Sequence, residues 1–347
     1  MKIFNLKQFL RPFFFFVCIS SIYAQSPLSL SDRYALIIGG IGGQEEFTEK
    51  YFFQTSQMYD LLVDSLNYNK NKILYLFEKP GFDSLKINYT ATAENVRRAF
   101  YQLGQTMNKQ DQLFVFLVGH GSFDGNWGKF NLVGPDLKDI DFGQLFAELP
   151  TKKIILVNTA SASGPFIKKL SGEGRVIITA TKSGYEIYET NFADFFLDAL
   201  GSDEADFNKD NRVSMLEAFK FARTRQDKWF EEKRQLRTEH PLLDDNGDGQ
   251  GSQKVENSED GLWASRVYLA PISPQVEAAL KKIQSGTQSP TDSLFIQTIA
   301  LEQQIEDLKA KKTQMKPAVY SQQLETLLIQ LAKLNQQIKK LESNQNE

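Results

Sequence analysis

From Arg33 onward, short and wholly apolar runs alternate with longer stretches whose apolar residues recur every three or four positions. The runs RYALIIGG (33–40), KILYLFE (72–78), DQLFVFLVGHGS (111–122), KKIILVNTA (152–160) and GRVIITAT (174–181) are apolar at consecutive positions. A strand of that kind is buried on both faces. Helical spacing predicts helices over 49–66, 92–107, 141–149 and 191–200, the second capped by Thr92. Doubly buried strands separated by helices predict an α/β fold: a three-layer sandwich with a mainly parallel central sheet and helices on both sides.

Beyond Leu200 the pattern changes to acidic, Asn- and Gly-rich loops around a helix near 214–235, and EDGLWASRVYLA (259–270) reads as a last strand. Residues 272–293 hold a short helix and a polar linker, closing a globular domain that spans 25–271. In the tail, Leu301, Ile305, Leu308 and Met315 recur at helical or heptad spacing. Leu324, Leu327, Leu331, Leu334, Ile338 and Leu341 follow at three- and four-residue steps. A break at KPAVY, around Pro317, predicts a helical hairpin or coiled coil over 294–345. One kinked helix packed on the globular domain is the simpler alternative. Its apolar seam and Gln/Lys/Glu flanks point to spacing or self-association, not chemistry.

The N-terminus changes the picture of location. Lys2, Lys7 and Arg11 precede the run PFFFFVCIS, and IYA precedes Gln25. That is the layout of a signal peptide over 1–24, which implies a secreted, periplasmic or cell-surface protein. The apolar run is too short to span a bilayer, and no later segment is apolar enough. A retained membrane anchor and lipidation at Cys18 are the alternatives. Cys18 is the one cysteine in 347 residues. Once it is cleaved off, disulfides, a thiolate zinc site and a cysteine nucleophile are all excluded. A net charge of −3 offers no basic field for nucleic acid. The 27 phenylalanines supply material for a large core.

Two strand-end segments carry candidate chemistry. In VGHGSFDG (118–125), His120 follows a buried strand between glycines, and the Gly121 N–H is placed to donate to a substrate oxygen. NTASASGPF (158–166) ends the next strand in chain order, with Ser161 among small residues. In open α/β sheets, sites form at the carboxyl ends of strands.

Together these two segments resemble the paired signature of legumain-like and caspase-like cysteine peptidases. There, His-Gly ends one central strand and Ala-Cys-x-Ser-Gly ends the next. Ala160-Ser161-Ala162-Ser163-Gly164 is similar to the second element, with Ser161 where the cysteine belongs. The resemblance covers about residues 30–200 and includes RYALIIGG and GRVIITATKSGYEIYE. It implies a caspase-like fold, His120 as base, Gly121 as oxyanion donor and Ser161 at the nucleophile position, with a substrate pocket near 181–190. A serine needs an aligned, oriented base where a thiol ionises readily. Asp124 and Asp111 are the candidates for orienting His120. A register one residue earlier would put Ala160 at the nucleophile position.

DFNKDNRVSMLE (206–217) places oxygen-bearing groups at the spacing of an EF-hand or dockerin-type calcium loop. The ligands would be Asp206, Asn208, Asp210, the Arg212 carbonyl, Ser214 and Glu217, with Asn211 where glycine is usual. DDNGDGQGS (244–252) repeats the scheme with Asp244, Asn246, Asp248 and Gln250, and Gly249 at the turn. Val255 takes the twelfth place, so Glu259 or Asp260 would have to return the missing ligand. GGIGG (39–43) lacks the spacing of a phosphate loop and reads as a strand-end turn. His240, before Pro241, reads as structural.

Three functions stay open at this point. The first is an exported peptidase homologue with calcium as cofactor, altered at its nucleophile and serving to bind a peptide or protein ligand or to scaffold. The second is an active hydrolase using Ser161 and His120. The third is an unrelated calcium-stabilised α/β binding protein.

Overall fold

The computed structural model describes residues 31–271, 274–310 and 315–345. The chain opens with β1 (Arg33–Gly39), α1 (Glu45–Asp60), β2 (Ile73–Phe77), β3 (Tyr89–Thr90) and α2 (Ala93–Thr106). There follow β4 (Gln112–Val118), β5 (Gly121–Phe123), β6 (Gly128–Phe130), β7 (Leu137–Lys138) and α3 (Asp139–Ala147). Next come β8 (Lys153–Asn158), α4 (Pro165–Leu170), β9 (Arg175–Thr179), α5 (Phe192–Leu200), α6 (Met215–Lys233) and β10 (Leu242–Asp244). Thr92 caps α2 as expected, its side chain accepting from the Asn95 N–H.

Seven strands form one sheet in the order β10-β9-β8-β4-β1-β2-β3, parallel except for β10, which pairs antiparallel with β9. Ile37 lies opposite Phe116, and Phe116 opposite Val157. Successive side chains of a strand point to opposite faces. Ile37, Phe114 and Phe116 therefore join Met58, Phe196 and Phe219, from α1, α5 and α6, in one core. Leu36, Val115 and Leu117 join Phe100, Phe142 and Phe166, from α2, α3 and α4, in a second core on the other face. The expected three-layer α/β architecture is what the chain forms, and the apolar runs are continuous because both faces are covered.

The sheet grows outward from β1 in two directions, first to β2 and β3, then back through β4 to β8 and β9. The order reverses between β1 and β4, and in open α/β sheets the carboxyl ends of strands at such a switch point flank the crevice where sites form. Gly40 and Gly119 meet there, with only 3.2 Å between the position of a Cβ on Gly119 and the Gly40 Cα.

Two predicted strands are corrected. The run 111–122 is not one strand. The chain leaves the sheet after Val118, and Gly121–Phe123 pairs instead with β6 in a separate three-stranded antiparallel sheet, β5-β6-β7. The segment 259–270 is also not a strand. Gly261 has φ +97°, a short 3₁₀ turn covers Ala264–Arg266, and one isolated bridge joins Tyr268 to Ser214. The Asp245 carboxylate accepts from the Gly261 and Ala264 N–H groups and holds the segment as a turn. The last strand of the sheet is β10, at the head of the second acidic loop.

The tail forms α7 (Pro274–Gln284), α8 (Pro290–Ala310) and α9 (Pro317–Gln345). α8 packs against both α7 and α9. α8 begins inside the segment expected to be linker. Ser289 accepts from the Asp292 N–H at 3.2 Å and Asp292 accepts from the Ser289 N–H at 2.7 Å, a reciprocal cap that starts the helix early. Among the described residues, no helix is long and apolar enough to cross a membrane. The expected signal peptide and Cys18 lie outside the described residues.

Phe116, fully buried at the centre of the sheet, tests the core. Phe116→Ala is expected to lower unfolding free energy by about 3–5 kcal/mol, read from the denaturant midpoint.

Candidate functional site

His120 leaves the end of β4 at the rim of the crevice. Phe47, Lys50 and Tyr51 of α1, spaced three and four apart, share one helix face that lies against this region. The Phe47 ring meets the imidazole edge-on at 4.9 Å. The Tyr51 hydroxyl donates to Glu189 Oε2 at 2.8 Å and lies 3.1 Å from His120 Nδ1 and 3.3 Å from Nε2. A phenol has one proton to give, so with that proton on Glu189 the nearer ring nitrogen must be the donor. Nδ1 also lies 3.5 Å from Glu189 Oε2. Burial, with the Glu189 charge beside it, pushes the Tyr51 phenol far above its ordinary value, so it stays protonated. Lys50 completes the cluster with a 2.9 Å contact to Glu189 Oε1.

Neither expected orienting carboxylate reaches His120. Asp111 lies at the other end of β4, where it accepts from the Asp32 and Asn108 N–H groups. Asp124 pairs with Lys129 at 2.9 Å and accepts from Asn126 and Trp127 within its own turn. Tyr51 and Glu189 fill that place; Tyr51 fell within the stretch 49–66 read only as a helix, and nothing in the sequence pattern marked Glu189.

The structure brings Ser161 and Gly121 into direct contact. The Gly121 N–H donates to Ser161 Oγ at 3.0 Å, and the Ser161 hydroxyl donates to the Gly121 carbonyl at 3.1 Å. A Cβ on residue 121 would fall 2.1 Å from the Ser161 carbonyl oxygen, so only glycine permits this approach. Among the described contacts, His120 and Ser161 share no hydrogen bond. Ser161 is buried, and Ala162 behind it takes a left-handed φ of +51°. That conformation costs an alanine about 1–2 kcal/mol, and the Ala162 N–H is held by the Glu186 carbonyl at 2.8 Å. Ala160 is buried and carries no reactive group.

The segment 181–190 is fastened to this loop at both ends. Thr181 Oγ1 accepts from the Gly164 N–H, and the Thr190 hydroxyl donates to the Thr159 carbonyl. Between these ties, Tyr185, Ile187 and Tyr188 stand exposed, and the Phe123 ring meets Tyr185 edge-on at 5.3 Å. His240 does more than precede a proline: its Nδ1 lies 2.5 Å from Glu186 Oε1.

Glu239 is 1% exposed and accepts from the Asn191 and Phe192 N–H groups at the start of α5. Burial pushes its carboxyl up to about 7, against the downward pull of those N–H groups. Between about pH 4.5 and 7 the folded chain therefore keeps a proton that the unfolded chain releases. Stability falls as pH rises through that window. Glu239→Gln is expected to flatten the profile between pH 5 and 7.5 by more than about 1 kcal/mol, measured by chemical denaturation.

The first acidic loop folds on itself. Asp206 accepts from the Asp210 and Asn211 N–H groups, and Asp210 from the Arg212 N–H and the Tyr268 hydroxyl. Glu217 Oε1 accepts from Phe207 and Asn208, and Oε2 from the Ser214 N–H and hydroxyl. Asn211 adopts φ +64°, the left-handed turn expected of it. In the second loop, Asn246 accepts from the Asp248 N–H and Asp248 from the Gln250 N–H. Among the described residues, no three His, Cys, Asp or Glu side chains converge as a group able to hold a metal ion. The GGIGG segment is the expected strand-end turn: Gly40 donates to the Val118 carbonyl and Gly42 to Glu78.

No family model and no curated protein matches the chain. Among solved structures it is similar to protein GSU0716 from Geobacter sulfurreducens, at 12% identity and a TM-score of 0.41, over 61% of this chain and 92% of that one.

Proposed function

We propose that this chain is an exported relative of the legumain-like and caspase-like peptidases, catalytically altered, that uses the crevice between β1 and β4 to bind a peptide or protein ligand. The observation that carries this reading is the mutual bonding of Ser161 and Gly121. The hydroxyl at the nucleophile position spends its proton on a backbone carbonyl, and the oxyanion donor spends its N–H on that hydroxyl. Serine catalysis requires the hydroxyl to give its proton to an oriented base within about 2.6–3.2 Å. His120 instead bonds to Tyr51 beside Glu189. The site keeps the strand-end geometry on which the resemblance rests, without the proton relay.

The exposed Tyr185, Ile187 and Tyr188 supply an apolar wall, which suits an extended segment with apolar side chains. Fluorophosphonate probes are expected to leave Ser161 unlabelled, and peptide libraries uncleaved. Labelling at Ser161 that disappears in His120→Ala would establish an active serine hydrolase instead. In a peptide-array binding assay, Tyr188→Ala is expected to weaken the strongest ligands by about 1–2 kcal/mol.

Calcium at 206–217 belongs to the same reading. The inward-turned, buried Asp206 and Glu217 and the left-handed Asn211 support it. The side chains of Asp206, Asn208, Asp210 and Glu217 and the Arg212 carbonyl would hold the ion. Ser214, whose hydroxyl caps α6, orients Glu217. Binding to the folded state alone raises its stability by mass action. Millimolar calcium is therefore expected to raise the midpoint of thermal unfolding by several degrees over chelator. An unchanged midpoint counts against the assignment.

A further inference from the structure

The carboxylates between residues 237 and 264 are mostly engaged by the backbone. Asp245 accepts from Gly261 at 2.8 Å and Ala264 at 2.6 Å. Asp260 accepts from the Asp245 N–H at 3.3 Å and the Ser252 hydroxyl at 2.5 Å. Asp244 differs. It is 1% exposed, and its Oδ1 accepts from the Gly247 N–H at 3.3 Å and the Ser171 hydroxyl at 3.0 Å. Its Oδ2 is buried with no hydrogen-bond partner. Among the described residues, no Lys, Arg or His forms an ion pair with Asp244 or Asp248. A buried carboxylate oxygen with neither a donor nor a counter-charge is strongly destabilising.

Through Oδ1 the Asp244 carboxylate is tied both to the Gly247 N–H of the turn that follows and to Ser171 at the end of α4. That turn carries further oxygens. Asn246 Oδ1 folds back onto the Asp248 N–H at 2.8 Å, and Asp248 Oδ1 onto the Gln250 N–H at 2.7 Å. Gly247 and Gly249, at φ +84° and +76°, let the chain curl around its own centre. We propose that residues 244–250 form a calcium site distinct from the 206–217 loop, with the buried Asp244 Oδ2 as its anchor. The donors are all hard oxygens, which favours calcium or magnesium over zinc or copper. An irregular, glycine-hinged turn suits the variable calcium sphere better than the strict octahedron of magnesium. Asp244 and Asp248 are the two acidic side chains open to it, because Asp245, the third in 244–250, is engaged by the Gly261 and Ala264 N–H groups. The rest of the sphere is amide, carbonyl and water oxygen, which is why no trio of acidic groups marks the place. So few charges put the affinity near the about 10⁻⁴–10⁻³ M of extracellular modules.

Ser171 gives the site its reach. It closes α4, the helix that follows the Ser161 loop, and its hydroxyl donates to Asp244 while accepting from the Gly249 N–H at 3.0 Å. A cation here clamps edge strand β10 and its turn onto that helix. The site does not depend on the peptidase reading.

Calorimetric titration of the full chain with calcium chloride tests it, with three variants alongside. Asp244→Asn keeps the shape and removes the charge, and is expected to bind one calcium fewer than wild type. In chelator it is expected to be at least as stable as wild type, and in millimolar calcium less stable. A purely structural Asp244 would lower stability equally in both. Should Asp244→Asn fail to fold, Asp248→Asn, at an exposed position, is expected to weaken the same calcium at least tenfold. Asp210→Asn reports the 206–217 loop separately. The proposal is overturned if wild type binds no calcium at millimolar concentration. It is equally overturned if Asp248→Asn leaves the number and affinity of bound calcium unchanged while only Asp210→Asn lowers them.

Discussion

One hydroxyl ties the ends of β4 and β8 together. Ser161 donates to the Gly121 carbonyl and accepts from the Gly121 N–H, which satisfies both backbone groups of the residue where the chain, having left the central sheet, opens β5. An unsatisfied backbone group at such a buried strand end costs as much as a lost hydrogen bond. The close approach of Gly121 fixes the turn that carries His120, and the left-handed Ala162 fixes the loop that meets Glu186. The geometry of the crevice follows from this pair. A thiol, a weaker donor and acceptor, would make the same two bonds less well.

The second constraint is the cluster on the other side of His120. Glu189 accepts from Tyr51 and Lys50 and lies within 3.5 Å of the imidazole. Its charge is balanced by the ammonium, and the phenol, kept protonated, turns its lone pairs to the ring. The imidazole is therefore oriented by α1 and by the 181–190 segment at once. Displacing that segment would disturb Glu189, Ala162 and the apolar wall together, because the Thr181 and Thr190 ties run to the Ser161 loop.

Much of this architecture was legible from hydrophobic pattern alone. Runs such as ILYLF and QLFVFLV can only be strands covered on both faces, and their order placed VGHGS and NTASASG at neighbouring strand ends. What escaped was governed by side-chain-to-backbone bonds, which leave no periodic trace. Asp245 turns an apolar stretch near 262–269 into a capped loop, although Leu262, Val267 and Leu269 read as strand residues. Ser289 and Asp292 start α8 inside a polar segment. Tyr51 and Glu189 are 138 positions apart in sequence, and only the folded sheet puts them on one imidazole.

The same rule separates the two acidic loops. In 206–217 every carboxylate is engaged: Asp206, Asp210 and Glu217 accept from N–H groups of the loop itself, so the turn is held by its own backbone. In 244–250 the exposed Asn246 and Asp248 do likewise, while the most buried member, Asp244, leaves one oxygen unmatched. Two loops that read as one motif in sequence therefore differ in what holds them. In the first, every carboxylate also carries backbone N–H bonds. In the second, Asp244 Oδ2 has no hydrogen-bond partner, at a point where Ser171 connects the loop to the helix behind Ser161.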